Sequence, residues 1–184
     1  MVIKYLLKCL DNIWFRHMSP IKKAEYLRGK VYYMGENVKI YTESIGTEPY
    51  LISIHDNVNV AAGVKFINHD VSCINVSRYL MRENNLDKVG AIILHDNCMI
   101  GAYSILMPGC SVGKNSIIAA GSVVTKNVPE NEVWGGIPAK FIMKLDEYAN
   151  KLVEVNIHYT RTKKGLSGEE LIKERQSYFF KKDF

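Results

Sequence analysis

The chain has 184 residues, enough for one sizeable hydrophobic core and too few to suggest two separate enzymatic domains. Hydrophobic residues make up 47% and charged residues 23%, a balance that excludes disorder throughout. The net charge of +5 favours an anionic ligand, while no RNP, zinc-finger or helix-turn-helix pattern points to nucleic acid.

The opening MVIKYLLKCLDNIWF is apolar, but Lys4, Lys8 and Asp11 interrupt it well short of the ~20 residues a membrane span requires. Val2, Ile3, Leu6, Leu7, Leu10, Ile13 and Trp14 recur at helical spacing and predict an amphipathic helix over residues 2 to 15. Packing on protein is favoured over docking on a membrane surface. Ser19-Pro20 supplies an N-cap with proline at the first helical position, so a second short helix runs to about Arg28 and stops at Gly29. Cys9, Cys73, Cys98 and Cys110 show no CxxC spacing, and no cleavable signal sequence precedes them. They are expected to be reduced thiols in a cytoplasmic protein.

Beyond residue 30 the texture changes to small and β-branched residues with recurrent Gly and Asn. Written in sixes, the later stretch reads LHDNCM, IGAYSI, LMPGCS, VGKNSI, IAAGSV and VTKNVP, headed by Leu94, Ile100, Leu106, Val112, Ile118 and Val124. An earlier run has the same phase in IHDNVN, VAAGVK and FINHDV, headed by Ile54, Val60 and Phe66, with weaker echoes at Met34 and Ile40. Internal repetition of this kind predicts a solenoid in which each unit is a short strand and a tight turn. The aliphatic head points inward, and Gly or Asn takes the turn conformations that bulkier residues resist.

Residues 72 to 91, SCINVSRYLMRENNLDKVGA, break the phase and predict a loop projecting from the coils, placed directly after His69. Residues 146 to 184 return to helix-like composition, and SGEE at Ser167 to Glu170 has the form of a capping box. The expected organisation is a helical segment over 1–30, a β-solenoid over 31–144 with its loop at 72–91, and a helical segment over 145–184.

The run from about Val89 to Ile142, with HDNCMIGAYS, AAGSVVTK and GGIPAK, together with the earlier FINHD, resembles the hexapeptide-repeat acetyltransferases. The resemblance is strongest to those that acetylate sugars and surface polysaccharides, and it covers roughly residues 34 to 144. It implies a left-handed parallel β-helix, a handedness that the six-residue pattern alone does not dictate. It further implies a homotrimer with acetyl-CoA in the groove between subunits, no metal, and a histidine at the start of an extended loop as the base. His69 occupies the matching place. Neutral imidazole suits removal of a hydroxyl proton near pH 7, and Asn68 and Asp70 are the candidates to orient it, although both residue types also serve turns.

By the same resemblance, Gly101 and Ala102 offer backbone amides to the developing oxyanion. Ala120, Thr125 and Lys126 line the pantetheine and nucleotide ends of acetyl-CoA, and Lys140, with Lys144 beside it, meets the CoA phosphate. Good turn chemistry would select many of the same residues. Met99 stands where sugar acetyltransferases of this fold often carry a tryptophan, a departure that bears on sugar stacking. No cysteine falls in a Cys-His nucleophile pattern, so direct transfer in a ternary complex is favoured over an acyl-cysteine.

The expected acceptor is a carbohydrate hydroxyl, with an antibiotic hydroxyl or an amino sugar as alternatives. A metal-dependent carbonic anhydrase of the same fold would need three converging histidines. His55 and His95, however, both sit second in an x-H-D-N block, at equivalent turn positions apart from His69. A non-catalytic scaffold remains the third reading.

Overall fold

The computed structural model describes residues 14–156 and 168–180. The chain divides into two compact units, Met1–Tyr148 and Ala149–Phe184. The helix predicted over 2 to 15 lies outside the described residues except at its end, where residues 14–17 are helical. Cys9 and Ser167 also lie outside them.

In the first unit, helix α1 (Pro20–Leu27) starts where the Ser-Pro pair predicts, with Ser19 Oγ accepting the Lys22 amide at 3.4 Å. It buries Ala24 and Leu27 against the first coil. The Arg28 guanidinium donates to the carbonyls of Met34 and Gly35, at 2.6 and 3.1 Å. These bonds serve carbonyls of the first coil that no preceding coil could serve.

The strands that follow are two to four residues long and form three parallel stacks. One stack contains β1 (Tyr33–Met34), β3 (Ile52–Ile54), β6 (Ile92–Leu94) and β9 (Ser111–Val112). The second contains β2 (Lys39–Ile40), β4 (Asn59–Val60), β7 (Met99–Ile100), β10 (Ile117–Ile118) and β12 (Glu132–Gly135). The third contains β5 (Lys65–Phe66), β8 (Ile105–Leu106) and β11 (Val123–Val124). The chain visits the stacks in rotation, so they are called the first, second and third faces of a parallel β-solenoid.

Register shows how the six-residue pattern builds this object. Leu94 pairs with Val112, Ile100 with Ile118 and Leu106 with Val124, each head with the third head after it, so three six-residue units make one turn. All nine heads from Ile54 to Val124 are buried, as are Met34 and Ile40. Fully burying an aliphatic side chain contributes roughly 1.5–3 kcal/mol, so the column of heads is the main source of cohesion between coils. Two residues before the heads, a second inward column carries smaller groups, including Val58, Val64, Cys98, Ser104, Cys110, Ser116 and Ser122. The buried serines bond to carbonyls: Ser116 Oγ donates to Pro129 O and Ser122 Oγ to Ala119 O, both at 2.6 Å. Burial pushes the Cys98 thiol up to about 12 and the Cys110 thiol up to about 11. Both cysteines are inert core residues.

The corner between the first and second faces is built by asparagine. Asn37, Asn57, Asn97, Asn115 and Asn131 all have φ between 55° and 59°, the left-handed region that asparagine tolerates better than most residues. Their amides form a ladder along the solenoid, Asn97 to Asn115 at 3.1 Å and Asn115 to Asn131 at 2.8 Å. We expect Asn115→Ala to lower the unfolding free energy by about 1–3 kcal/mol, from strain plus two lost bonds. Asn115→Gly should cost less, because it keeps the backbone conformation; denaturant titration of both variants separates the contributions.

The break in phase falls within a single turn. Ile54 pairs with Leu94, so the turn between them holds more than twice the chain of the next, which runs from Leu94 to Val112. The surplus is an excursion that leaves the third face and returns to the first. It is not a plain loop, because Ser72–Tyr79 form helix α2. Asn68-His69-Asp70 runs antiparallel to Lys88-Val89-Gly90, with Asp70 N donating to Lys88 O and Gly90 N to Asn68 O, both at 2.9 Å. This short ladder clamps the base of the excursion.

The solenoid ends where β12 meets β13 (Lys140–Lys144) in antiparallel register across the GGIPAK turn. Glu132 accepts from the Trp134 indole at 2.7 Å and from Lys144 at 2.6 Å. These two donors, Lys144 foremost, hold its carboxyl below the usual carboxylate range. Helix α3 (Leu145–Asn156) follows, and helix α4 (Gly168–Phe180) belongs to the second unit. No helix among the described residues is long and apolar enough to cross a membrane.

Candidate active site

His69 lies just past β5, at the corner between the third and first faces, with its side chain 34% exposed. A carboxylate stands at each ring nitrogen: Glu48 Oε1 is 3.3 Å from Nδ1 and Asp87 Oδ1 is 2.9 Å from Nε2. Neither flanking residue takes the orienting place expected of it. Asp70 accepts from Lys88 Nζ at 2.7 Å and from the Ser72 amide at 3.0 Å. The Lys88 bond, followed by the Ser72 bond, holds the Asp70 carboxyl down at about 2. It serves the base of the excursion. Asn68 is buried, with neither side-chain polar atom hydrogen-bonded within the chain.

Glu48 is the residue that sequence reasoning missed. The usable signal was coil register: Met34 pairs with Ile54 in the next coil, and His69 meets Glu48 across a similar separation in sequence. Asp87 is brought in by the returning arm of the excursion, and Cys73 by the first turn of α2. One ring nitrogen of His69, Cys73 Sγ and an oxygen of Asp87 lie within 4.8 Å of one another. A groove of about 250 Å³ opens beside His69, lined by Ser44, Gly46, Thr47, Lys65, Phe66 and Asn68 among others.

The remaining sequence candidates divide between two corners. Thr125 and Lys126 follow β11 and share the corner of His69, two coils further along, with Lys126 Nζ 5.2 Å from the centre of the Trp134 ring. Gly101, Ala102 and Ala120 follow β7 and β10 and stack on the corner between the second and third faces. Lys140 pairs with Gly135 on that same corner. Closeness there is strict: a Cβ on Gly101 would stand 2.4 Å from Ala120 N. The Gly101 amide already donates to Ile118 O, and the Ala102 carbonyl accepts from Gly121 N, both at 2.8 Å. His69 and this second corner are separated by one full face, at most about 20 Å of extended chain. His55 and His95 stack with ring centroids 5.3 Å apart, at the corner between the first and second faces and away from His69.

The bacterial transferase hexapeptide family, a model of six repeats, matches residues 91–126. Protein CapG of Staphylococcus aureus is 45% identical over 118 residues, covering 64% of this chain. The match covers 66% of CapG's own length, just under two thirds. Among solved structures, a maltose O-acetyltransferase from Clostridium difficile superposes with a TM-score of 0.53 at 25% identity, covering 73% of this chain and 82% of that one. A hexapeptide-repeat acetyltransferase from Vibrio cholerae, complexed with acetyl coenzyme A, superposes with a TM-score of 0.55 at 18% identity over 73% of this chain and 82% of its own. The six-residue heads, the three parallel faces and these matches agree: residues 91–126 carry the repeats of the hexapeptide transferase family, and the chain has the fold of hexapeptide-repeat acetyltransferases.

Proposed function

We propose that the protein transfers an acetyl group from acetyl-CoA to a hydroxyl of a carbohydrate, with His69 as general base, on a left-handed β-helix. The observation that carries this reading is the setting of His69: a partly exposed imidazole on a rigid corner, with Glu48 at Nδ1 and a groove beside it. With the ring proton on Nδ1, held by Glu48, Nε2 is the basic nitrogen. Asp87 rides on the exposed arm of the excursion and gives way to the acceptor hydroxyl at Nε2.

The acceptor oxygen loses its proton to Nε2 as it attacks the thioester carbonyl. The tetrahedral intermediate collapses by expelling the CoA thiolate, which takes the proton back from the imidazolium. Because the Gly101 amide is engaged in the ladder, Ala102 N–H is the amide assigned to the oxyanion. His69 and the Ala102 corner are a face apart in one chain, which supports a site completed by a neighbouring copy in a trimer. Ala120 and Lys140 then belong to the acetyl-CoA side contributed by the second-to-third-face corner, and Thr125 and Lys126 to the His69 side.

Ser44, Thr47 and Lys65 place a few polar groups on a largely apolar groove wall formed with Phe66 and Ile67. Apolar walls with a few placed polar groups suit a sugar ring and its hydroxyls, and the maltose O-acetyltransferase from Clostridium difficile acts on an acceptor of that class. The test is release of free CoA thiol across a panel of sugars, nucleotide sugars, amino sugars and hydroxylated antibiotics. Acceptor-dependent release with a sugar hydroxyl supports the reading; release with an amine alone replaces it with N-acetylation. Glu48→Gln should lower kcat about 10- to 100-fold with little change in acetyl-CoA affinity, because an oriented base contributes about 100-fold or more. An unchanged kcat removes Glu48 from the mechanism.

A further inference from the structure

We propose that His69, Cys73 and Asp87 form a binding site for one thiophilic divalent cation of the zinc class. Bound there, the cation occupies the imidazole nitrogen that acetyl transfer needs and switches the enzyme off. The inhibitory half of this proposal rests on the reading of His69 as base; the binding half does not.

The donor set is the first ground. One imidazole nitrogen, one thiol sulfur and one carboxylate oxygen lie within 4.8 Å of one another. In a tetrahedral zinc site with Zn–N, Zn–O and Zn–S bonds of about 2.0–2.3 Å, such atoms stand about 3.4–3.6 Å apart. Nε2 and Asp87 Oδ1 are already at 2.9 Å, so closure requires only side-chain rotations of about 1 Å. Imidazole with thiolate selects zinc-like ions over magnesium and calcium, which take oxygen ligands.

The second ground is the support around these groups. Glu48 Oε1 lies 3.3 Å from Nδ1, in the position of the carboxylate that fixes the tautomer and raises the basicity of a metal-bound histidine. The other oxygen of Glu48 is buried and unpartnered, so the carboxylate has capacity to spare for a second donor. The three ligands also share one foundation. The ladder of Asn68-His69-Asp70 on Lys88-Val89-Gly90 carries His69 and holds Asp87 one residue away from its other strand, while α2 presents Cys73 in its first turn. Cys73 is buried, unlike an incidental surface thiol, and differs from Cys98 and Cys110 in facing a histidine and a carboxylate.

Binding displaces the thiol proton to solvent and leaves the imidazole neutral. The fourth position of the tetrahedron stays open on the solvent side of His69. No step of acetyl transfer uses Cys73, so the cluster has no role in the proposed chemistry other than through the ring it shares.

Cobalt(II) titration of the metal-free full-length protein tests the binding half. The expected result is one equivalent of bound ion, with a thiolate-to-cobalt charge-transfer band and intense visible bands of a tetrahedral site, both erased by one equivalent of zinc. Cys73→Ser should abolish the charge-transfer band. Asp87→Asn, a change at an exposed side chain that leaves the core untouched, should weaken binding by about 10-fold or more. Glu48→Gln should weaken it by about 10- to 100-fold. Absence of the bands in wild type, or their persistence in Cys73→Ser, overturns the site. Zinc should then inhibit thiol release by wild type and spare Cys73→Ser. Stoichiometric binding with undiminished turnover would overturn the inhibitory half and locate the fault in the assignment of the base rather than in the metal ligands.

Discussion

His69→Ala lowers acetyl transfer by about 100- to 10,000-fold, the usual contribution of a positioned general base, and leaves affinity for acetyl-CoA close to wild type. The separation follows from placement. His69 sits between the third and first faces, while Gly101, Ala102, Ala120 and Lys140 lie on another corner, so removing the ring takes nothing from the surfaces assigned to the cofactor there. Folding should survive, because the ring is partly exposed and lies outside the column of buried heads. The measurement is thiol release under saturating acceptor, beside calorimetric titration with CoA. Turnover at the wild-type level would remove His69 from the chemistry, whereas a wild type that neither turns over nor binds CoA would bring the scaffold reading forward. Cys73→Ser belongs in the same experiment: retained turnover there excludes an acyl-cysteine route through the one described thiol that meets the histidine.

Mixing two inactive variants restores activity if the site is shared between copies. Ala120→Trp fills the corner assigned to the pantetheine arm and should be inactive on its own; Ala120 is exposed, so the bulky ring meets solvent rather than core. His69→Ala is inactive through the other corner. In a trimer assembled at random from equal amounts of the two, each site draws its histidine from one subunit and its acetyl-CoA corner from the next. About one quarter of sites are then intact, and turnover should recover to about a quarter of wild type after co-expression. A site contained in a single chain recovers nothing, because every subunit carries one defect. Light scattering on the same samples checks that both variants assemble to the same size.

The sequence by itself determined the solenoid. A head at every sixth position from Ile54 to Phe66 and again from Leu94 to Val124 requires strands of equal length, and equal lengths stack with each head over the third one before it. Burial of those heads and the left-handed asparagines at the turns are local consequences of a repeated pattern, so a one-dimensional reading could find them. The same reading located His69 at the mouth of the excursion and placed His55 and His95 elsewhere.

What only the tertiary structure decided is which groups meet at His69. Glu48 arrives from the preceding coil and Cys73 and Asp87 from the two ends of a segment that breaks the repeat. Asp70, adjacent in sequence, is drawn away by Lys88 across the ladder. Gly101 offers a motif glycine whose amide the coil itself consumes. The physical reason lies in the reach of the repeat. A repeat dictates register only while its period holds; once the chain leaves the coil, partners are chosen by the path of the excursion and by which charges its return brings within reach.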